Sequence, residues 1–203
     1  MLKNKLKFLF VLTLSGLLLG SFLFTAVGAE EDRYGDTLRV ALSGTPPSLD
    51  QQVITSDLAT LIAQHFFEGL YTFNAEYRPV PMLAKGSEVS EDGKQIDIML
   101  REEVMFHDGS ELTSEDVVAS LERWGEYGVR GPVLFEHVDD VMATGDYEVR
   151  ITLEEPFGPW KSLLAFINGG PVIYPAEVAK EAGKEPIDPD QYIGTGPYRF
   201  VEH

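Results

Sequence analysis

The stretch from Asp92 to Trp124 limits most strongly what this chain can fold into, because all its local signals agree. It opens with the turn pair Asp92-Gly93, after which apolar and polar residues alternate. The positions of one face are Ile96, Ile98 and Leu100, and those of the other are Gln95, Asp97, Met99 and Arg101. A period of two residues predicts a strand with one buried face.

A capped helix is predicted a few residues after this strand. Thr113 suits the N-cap position, and Asp116 lies where its carboxylate can reach back to the cap. Apolar residues then recur at helical spacing, at Val117, Val118, Leu121 and Trp124. The strand and the amphipathic helix are therefore expected to form one compact unit.

The segment His107-Asp108-Gly109 lies between the strand and the helix and has two interpretations. In the first it is a tight turn, in which Asp108 bonds the local backbone and Gly109 takes an unusual dihedral angle. In the second, His107 and Asp108 are a metal ligand or a catalytic dyad. No second histidine or carboxylate lies at ligand spacing around them, so the sequence favours the turn.

Two parts of the chain carry the strongest family resemblance. In the first, the ungapped runs are Leu100-Arg101, Phe106 to Gly109, Leu112-Thr113 and Glu115 to Val118. They resemble the signature of the extracellular solute-binding proteins of family 5, the peptide-, oligopeptide- and nickel-binding receptors of ABC importers. The second match is the run from Ile193 to Phe200.

The chain departs from the family pattern at two positions. Ser87 stands where the family usually has Trp, and Glu103 replaces a Gly that is common before the next strand. These departures concern local packing and leave the resemblance in place.

The resemblance implies a mixed α/β (α+β) fold of the periplasmic binding protein type II-like kind, N-terminal portion only. It puts the start of the large lobe, lobe I, at residues 30–50 and an inserted small β-rich subdomain at 51–190. Residues 191–203 would then return to lobe I as a strand. Since the resemblance covers nearly all of 36–203, we expect this chain to be a fragment, about the first third of such a receptor.

The resemblance also implies two loops at the edge of a ligand cleft. The candidate ligand-binding residues are Ser43, Gly44, Thr45 and Pro46 in the first loop, and Gly194, Thr195 and Gly196 in the second. Small residues suit close approach of a ligand backbone. The two glycines of the second loop invite comparison with a phosphate-binding loop, but a third glycine, a Lys-Ser/Thr pair and a following helix are missing. We expect no catalytic residue, no metal ligand, no cofactor and no direct binding of ATP.

The first 29 residues are typical of a secretory signal peptide. Lys3, Lys5 and Lys7 precede an apolar run from Phe8 to Phe24, and small residues favour cleavage after Ala29. The alternative is a membrane anchor, because the apolar run is near the length that spans a bilayer. The sequence contains no cysteine and hence no lipobox, so we expect a periplasmic or secreted protein.

The charge of the chain argues against nucleic acid and anionic membranes as partners. The sequence has 16 Lys+Arg and 33 Asp+Glu. Cleavage would remove three lysines, leaving 13 against 33 and a net charge of −20. Such a surface repels phosphate groups.

Three functions from different classes are compatible with these features. The first, which the resemblance implies, is the substrate-binding component of an ABC importer, a monomer that captures peptides or similar small solutes and delivers them to the permease subunits. The second is a secreted enzyme such as a hydrolase, but Gly-x-Ser-x-Gly, His-Glu-x-x-His and Cys are absent. The third is a structural or adhesion fragment.

Further elements are predicted on both sides of the central unit. Before it, we expect a first strand at Leu38, Val40 and Leu42 and a helix that is capped by Thr55 or Ser56 and stops at Gly69. The apolar stripe of that helix would be Leu58, Leu61, Ile62 and Phe66. After it, we expect a strand at 147–153, helices opening near Pro159 and Pro175, and a linker at 184–190.

Overall fold

A computed structural model describes residues 40–202 of the chain. The predicted signal peptide and residues 30–39 lie outside the described residues. The helices are α1 (Asp57–Ala63), α2 (Ser114–Tyr127), α3 (Gly131–Phe135), α4 (Trp160–Leu163) and α5 (Ala176–Ala182), with a 3-10 turn at Pro189–Gln191. The strands are β1 (Tyr71–Phe73), β2 (Pro79–Pro81), β3 (Ala84–Val89), β4 (Gln95–Leu100), β5 (Val138–Gly145) and β6 (Glu148–Leu153).

The centre of the fold is an antiparallel four-stranded sheet in the order β3-β4-β6-β5. The predicted alternation of β4 is confirmed, because Ile96, Ile98 and Leu100 are at most 1% exposed. Strand β6 pairs with β4, and its Val149 faces the same core. Each buried aliphatic side chain of this kind contributes about 1.5–3 kcal/mol. A separate two-stranded sheet joins β1 to β2.

Helix α2 begins where the sequence predicts. The backbone N–H of Thr113 donates to Asp116 over 2.8 Å, and the other carboxylate oxygen of Asp116 accepts from Ala176 N over 2.8 Å. The cap therefore also fixes the start of α5. Trp124 packs on the sheet core, while Ala119 packs in a second core with the N-terminal segment and α5.

Helix α1 is shorter than predicted, and its most deeply buried residues are not those of the predicted stripe. Ser56 is its N-cap, as expected, but the helix ends at Ala63 and not at Gly69. Tight turns follow, and Phe67 packs edge-to-face on Tyr174 at 5.0 Å. The buried positions of the helix are Ala59 and Ala63, whereas Leu61 of the predicted stripe is 51% exposed. The stripe prediction is therefore wrong for Leu61, whereas Ile62 and Phe66 do pack against the second core. The small alanines are buried most deeply because they let the helix approach its neighbours closely.

Three other segments differ from expectation. Within the described residues, Val40 to Leu42 form no strand, and the run from Ile193 is not a strand either. The run from Ile193 forms hydrogen bonds with the residues that follow α1 instead, and its Pro197 has no N–H to donate to a neighbouring strand. The expected linker at 184–190 is anchored, because Ile187 is 3% exposed and its N–H donates to Asp50.

The two departures from the family pattern have visible local effects. Glu103 adopts a positive φ of 59°, a conformation that glycine takes without a steric cost. Its N–H donates to the carboxylate of Glu111 over 3.0 Å, which compensates in part. The hydroxyl of Ser87 is buried and finds no hydrogen-bond partner within the described part of the chain.

Candidate ligand-binding loops

The segment His107-Asp108-Gly109 is a tight turn, as the sequence favoured. The N–H of Gly109 donates to Phe106 O over 3.0 Å, and Gly109 has a φ of +93°. Asp108 accepts from the N–H and hydroxyl of Ser110, at 2.9 and 2.7 Å. Partial burial raises the pKa of Asp108, but the hydrogen bonds from Ser110 and from its own backbone, together with the neighbouring His107, hold the pKa below its usual range.

His107 joins this turn to the second candidate loop, Gly194 to Gly196. Its backbone N–H donates to Gly194 O over 2.9 Å. Its Nε2 lies 2.8 Å from Gly196 O, and its Nδ1 lies 3.3 Å from Gly194 N. Both ring nitrogens are thus paired with backbone groups of one loop, which leaves neither for a metal. The part of the chain that the structure describes contains no group of three or more His, Cys, Asp or Glu that could hold a metal ion.

The two glycines of this loop pack against the residues that follow α1. The N–H of Gly196 donates to Phe66 O over 2.8 Å. A Cβ atom would lie 2.1 Å from Phe66 O at Gly194 and 2.6 Å from His65 O at Gly196. Both glycines are buried. Their small size therefore serves packing within the chain, a role that the sequence interpretation did not assign to them.

Thr195 is the member of this loop that is partly exposed. Its hydroxyl donates to Glu68 Oε2 over 2.7 Å. Glu68 follows α1, so this bond also ties the loop to the α1 side of the molecule. The Glu68 carboxylate therefore orients the hydroxyl of Thr195.

The first candidate loop, Ser43 to Pro46, is more open. Ser43, Gly44 and Thr45 are exposed, and Pro46 is buried. Gly44 lies beside α1, where a Cβ atom would be 3.5 Å from Leu58 Cδ1. Within residues 40–202, no hydrogen bond joins this loop directly to Gly194–Gly196.

Tyr192 connects the regions of the two loops. Its phenolic oxygen accepts from Leu49 N over 2.9 Å and lies 3.2 Å from Ser48 Oγ. Leu49 follows the first loop, and Tyr192 precedes the second. Tyr192 thus brings the two regions together. It was not predicted as a site residue, because a lone tyrosine outside any periodic pattern gives no signal of its partner.

A buried ion pair anchors the segment that follows the first loop to helix α2. Asp50 Oδ2 and Arg123 Nη2 lie 2.7 Å apart, with side chains 0% and 2% exposed. Asp50 also accepts from the hydroxyl of Tyr174, over 2.9 Å. Burial, together with the Asp50 carboxylate, raises the pKa of Tyr174 well above its usual range. Arg123 was not among the predicted site residues, although an arginine between Leu121 and Trp124 on an amphipathic helix was a signal.

A shallow groove of about 530 Å³ runs beside His107. Its charged and titratable lining includes Asp108, Asp190, Tyr192, Arg199 and Glu202. The described residues include no helix long and apolar enough to cross a membrane.

Relatives of known sequence resemble most of the chain. A probable peptide ABC transporter periplasmic-binding protein, y4tO from Sinorhizobium fredii, is 32% identical over 177 residues, 87% of this chain and 31% of the relative. The glutathione-binding protein GsiB from Pectobacterium atrosepticum is 32% identical over 167 residues, 80% of this chain and 31% of the relative. The chain spans about a third of the length of these curated relatives.

Solved structures share the fold. The periplasmic binding protein AgaA of A. tumefaciens, in complex with agropinic acid, is 29% identical with a TM-score of 0.66, over 79% of this chain and 32% of AgaA. The oligopeptide-binding protein AppA of Bacillus subtilis, in complex with a nonapeptide, is 25% identical with a TM-score of 0.67, over the same shares of the two chains. The predicted fold class, a mixed α/β periplasmic binding protein of type II-like architecture, is confirmed.

The family assignment comes from a match over more than half of the chain. The family model described as bacterial extracellular solute-binding proteins, family 5 Middle, matches residues 78–203. The matched residues include β3 to β6, α2, the His107 turn and the Gly194–Gly196 loop. The chain belongs to the bacterial extracellular solute-binding proteins of family 5.

Proposed function

We propose that this chain is part of the substrate-binding component of an ABC importer, which captures a peptide or a similar small solute and delivers it to the membrane permease. The family match over residues 78–203 carries the proposal. The names of y4tO, a probable peptide ABC transporter protein, and GsiB, a glutathione-binding protein, support it. The component binds its solute without transforming it, needs no cofactor and acts as a monomer.

The exposed part of the first loop is where this chain contacts the solute. Ser43, Gly44 and Thr45 present backbone and hydroxyl groups to solvent, which suits an extended peptide that bonds through its main chain. Thr195 is the second point of contact. Gly194 and Gly196 act indirectly, because their close packing on the residues after α1 fixes Thr195.

The domain division follows from the same proposal. Residues 30–50 and 191–203 belong to lobe I, and residues 51–190 form the inserted subdomain. The bond from Leu49 N to the Tyr192 hydroxyl supports this division, since it joins the two proposed lobe I stretches across 143 residues of sequence. The signal peptide is removed after Ala29, which places the mature chain in the periplasm or the medium.

The test is a titration of the ¹⁵N-labelled mature chain with di- to pentapeptides and, separately, with glutathione, followed by amide chemical shifts. We expect shifts that begin at millimolar solute and are confined to Ser43–Thr45 and the residues around Thr195. Mass spectrometry of the recovered solute should show it intact. Cleaved peptides would support the alternative of a secreted hydrolase, and shifts elsewhere or none at saturating solute would contradict the proposed site.

A further inference from the structure

We propose that His107 is a pH-dependent latch that positions the loop Gly194–Gly196. The loop is held in place when the imidazole is neutral and is released when the imidazole takes a second proton. The inference rests on the proposed function only in giving the loop a role in solute binding. The latch itself is a property of the solute-free chain.

The hydrogen bonds of His107 require one protonation state. Gly196 O, 2.8 Å from Nε2, can only accept, so Nε2 carries the proton. Gly194 N–H can only donate, so Nδ1 at 3.3 Å must offer its lone pair. A neutral imidazole protonated on Nε2 satisfies both bonds, and neither the other neutral tautomer nor the cation does.

Protonation of Nδ1 sets two donors against each other. The new N–H would point at the N–H of Gly194, which loses its acceptor. Gly194 has no room to rotate in place, because its Cα lies against the backbone of Phe66, where even a Cβ atom would come within 2.1 Å of an oxygen. A buried N–H without an acceptor destabilises the fold, so the loop must move away.

Charged and titratable groups face His107 from the groove and from the residues after α1. The groove beside the ring is lined by the carboxylates of Asp108, Asp190 and Glu202, the guanidinium of Arg199 and the phenol of Tyr192. Glu68, which follows α1, accepts a hydrogen bond from the hydroxyl of Thr195 in the loop. Carboxylates outnumber the single cation, and imidazole ordinarily titrates between pH 5 and 8.

Release of the loop opens the bonds that hold it to the residues after α1. These are the donation of Gly196 N–H to Phe66 O over 2.8 Å and of Tyr198 N–H to His65 O over 3.1 Å. Thr195 lies between the latch residues, so its hydroxyl loses its fixed position. Solute contacts at this loop therefore weaken in acid.

Hydrogen exchange of the solute-free mature chain tests the latch at pH 7.5 and pH 5.5. After correction for the intrinsic rates, we expect the protection of the Gly196 and Tyr198 amides to fall about tenfold at the lower pH. His107→Gln removes the titration while keeping an N–H donor, so its protection should not depend on pH. His65→Gln, a control for the neighbouring imidazole, should behave as the natural chain does.

Nitrogen NMR of the imidazole ring supplies an independent readout in the natural chain. We expect a protonated Nε2 and an unprotonated Nδ1 at pH 7.5, with the Gly196 amide shift following the protonation of Nδ1. A ring protonated on Nδ1 at pH 7.5, unchanged protection at pH 5.5, or the same loss of protection in His107→Gln would overturn the proposal. Because no solute is present, failure here leaves the proposed function standing, and failure of solute binding leaves the latch standing.

Discussion

Two aspartate–arginine pairs in this protein have the same contact distance and very different burial, which allows a matched stability experiment. Asp50 and Arg123 lie 2.7 Å apart with side chains 0% and 2% exposed. Asp97 and Arg150 also lie 2.7 Å apart, with side chains 21% and 34% exposed. The two variants Asp50→Ala and Asp97→Ala remove the carboxylate from each pair.

Asp50→Ala should destabilise the protein by roughly 3–5 kcal/mol, because it leaves the Arg123 guanidinium charged and buried without its counter-ion. It also removes the acceptor of the Tyr174 hydroxyl and of the N–H groups of Gln52 and Ile187. Arg123 keeps Gln52 Oε1 and the carbonyls of Gly183 and Glu185 as acceptors. Because these neutral acceptors still bind the guanidinium, the loss in the free energy of unfolding should stay within the range of roughly 3–5 kcal/mol.

Asp97→Ala should cost less than about 1 kcal/mol, because both charges are partly hydrated and screened by salt. Urea unfolding at pH 7, followed by the fluorescence of Trp124 and Trp160, measures both losses. Equal losses from the two variants, or a loss below about 1.5 kcal/mol for Asp50→Ala, would refute the conclusion that burial makes the first pair essential to the fold.

Three further predictions concern single positions. The pKa of Tyr147 is raised to about 12, mainly by its hydrogen bond to Glu111, so this phenol should still be protonated near pH 11 in an absorbance titration. Glu111→Gln should lower the pKa towards its ordinary value, and burial with the charges of Asp146 and Glu102 should keep part of the shift. The bond stabilises the fold below about pH 10, and this contribution is lost as the pH rises through about 12. Gly109→Val should cost about 1–3 kcal/mol from its φ of +93° alone, whereas Gly158→Val, with equally open surroundings and no positive φ, should be mild. N-terminal sequencing of the exported protein should begin after Ala29, and a sequence that starts at Met1 would contradict the signal peptide.

The sequence predicts well those elements whose signals are local. The period of two in β4, the capping box of Thr113 and Asp116, and the turn at Gly109 are each fixed by neighbours within a few residues, and all three are present. The helix at α1 is predicted too long, because its end depends on the packing of Phe67 against Tyr174, a residue over 100 positions away.

The candidate site depends on distant contacts and is only partly predictable. The partners Asp50 and Arg123 are 73 residues apart, and His107 meets Gly196 across 89 residues. A single sequence shows that Gly194 and Gly196 are small but not which backbone they approach. The structure shows that the approach is to the protein's own residues after α1, and this changes what the loop can offer a ligand.

The mature chain by itself should therefore bind peptides weakly. Of the seven candidate residues, Gly194, Gly196 and Pro46 are buried and Thr195 already donates to Glu68, so few groups remain free for a solute. A small-molecule site normally covers most of the ligand surface, whereas the loop Ser43–Thr45, the proposed contact, is exposed and would form a single wall. Micromolar binding, worth about 8 kcal/mol, should fall to the millimolar range, about 4 kcal/mol. Calorimetry of residues 30–203 with a mixed di- to pentapeptide pool should give no saturable heat at micromolar solute, and a clear micromolar isotherm would show that these residues hold a complete site elsewhere.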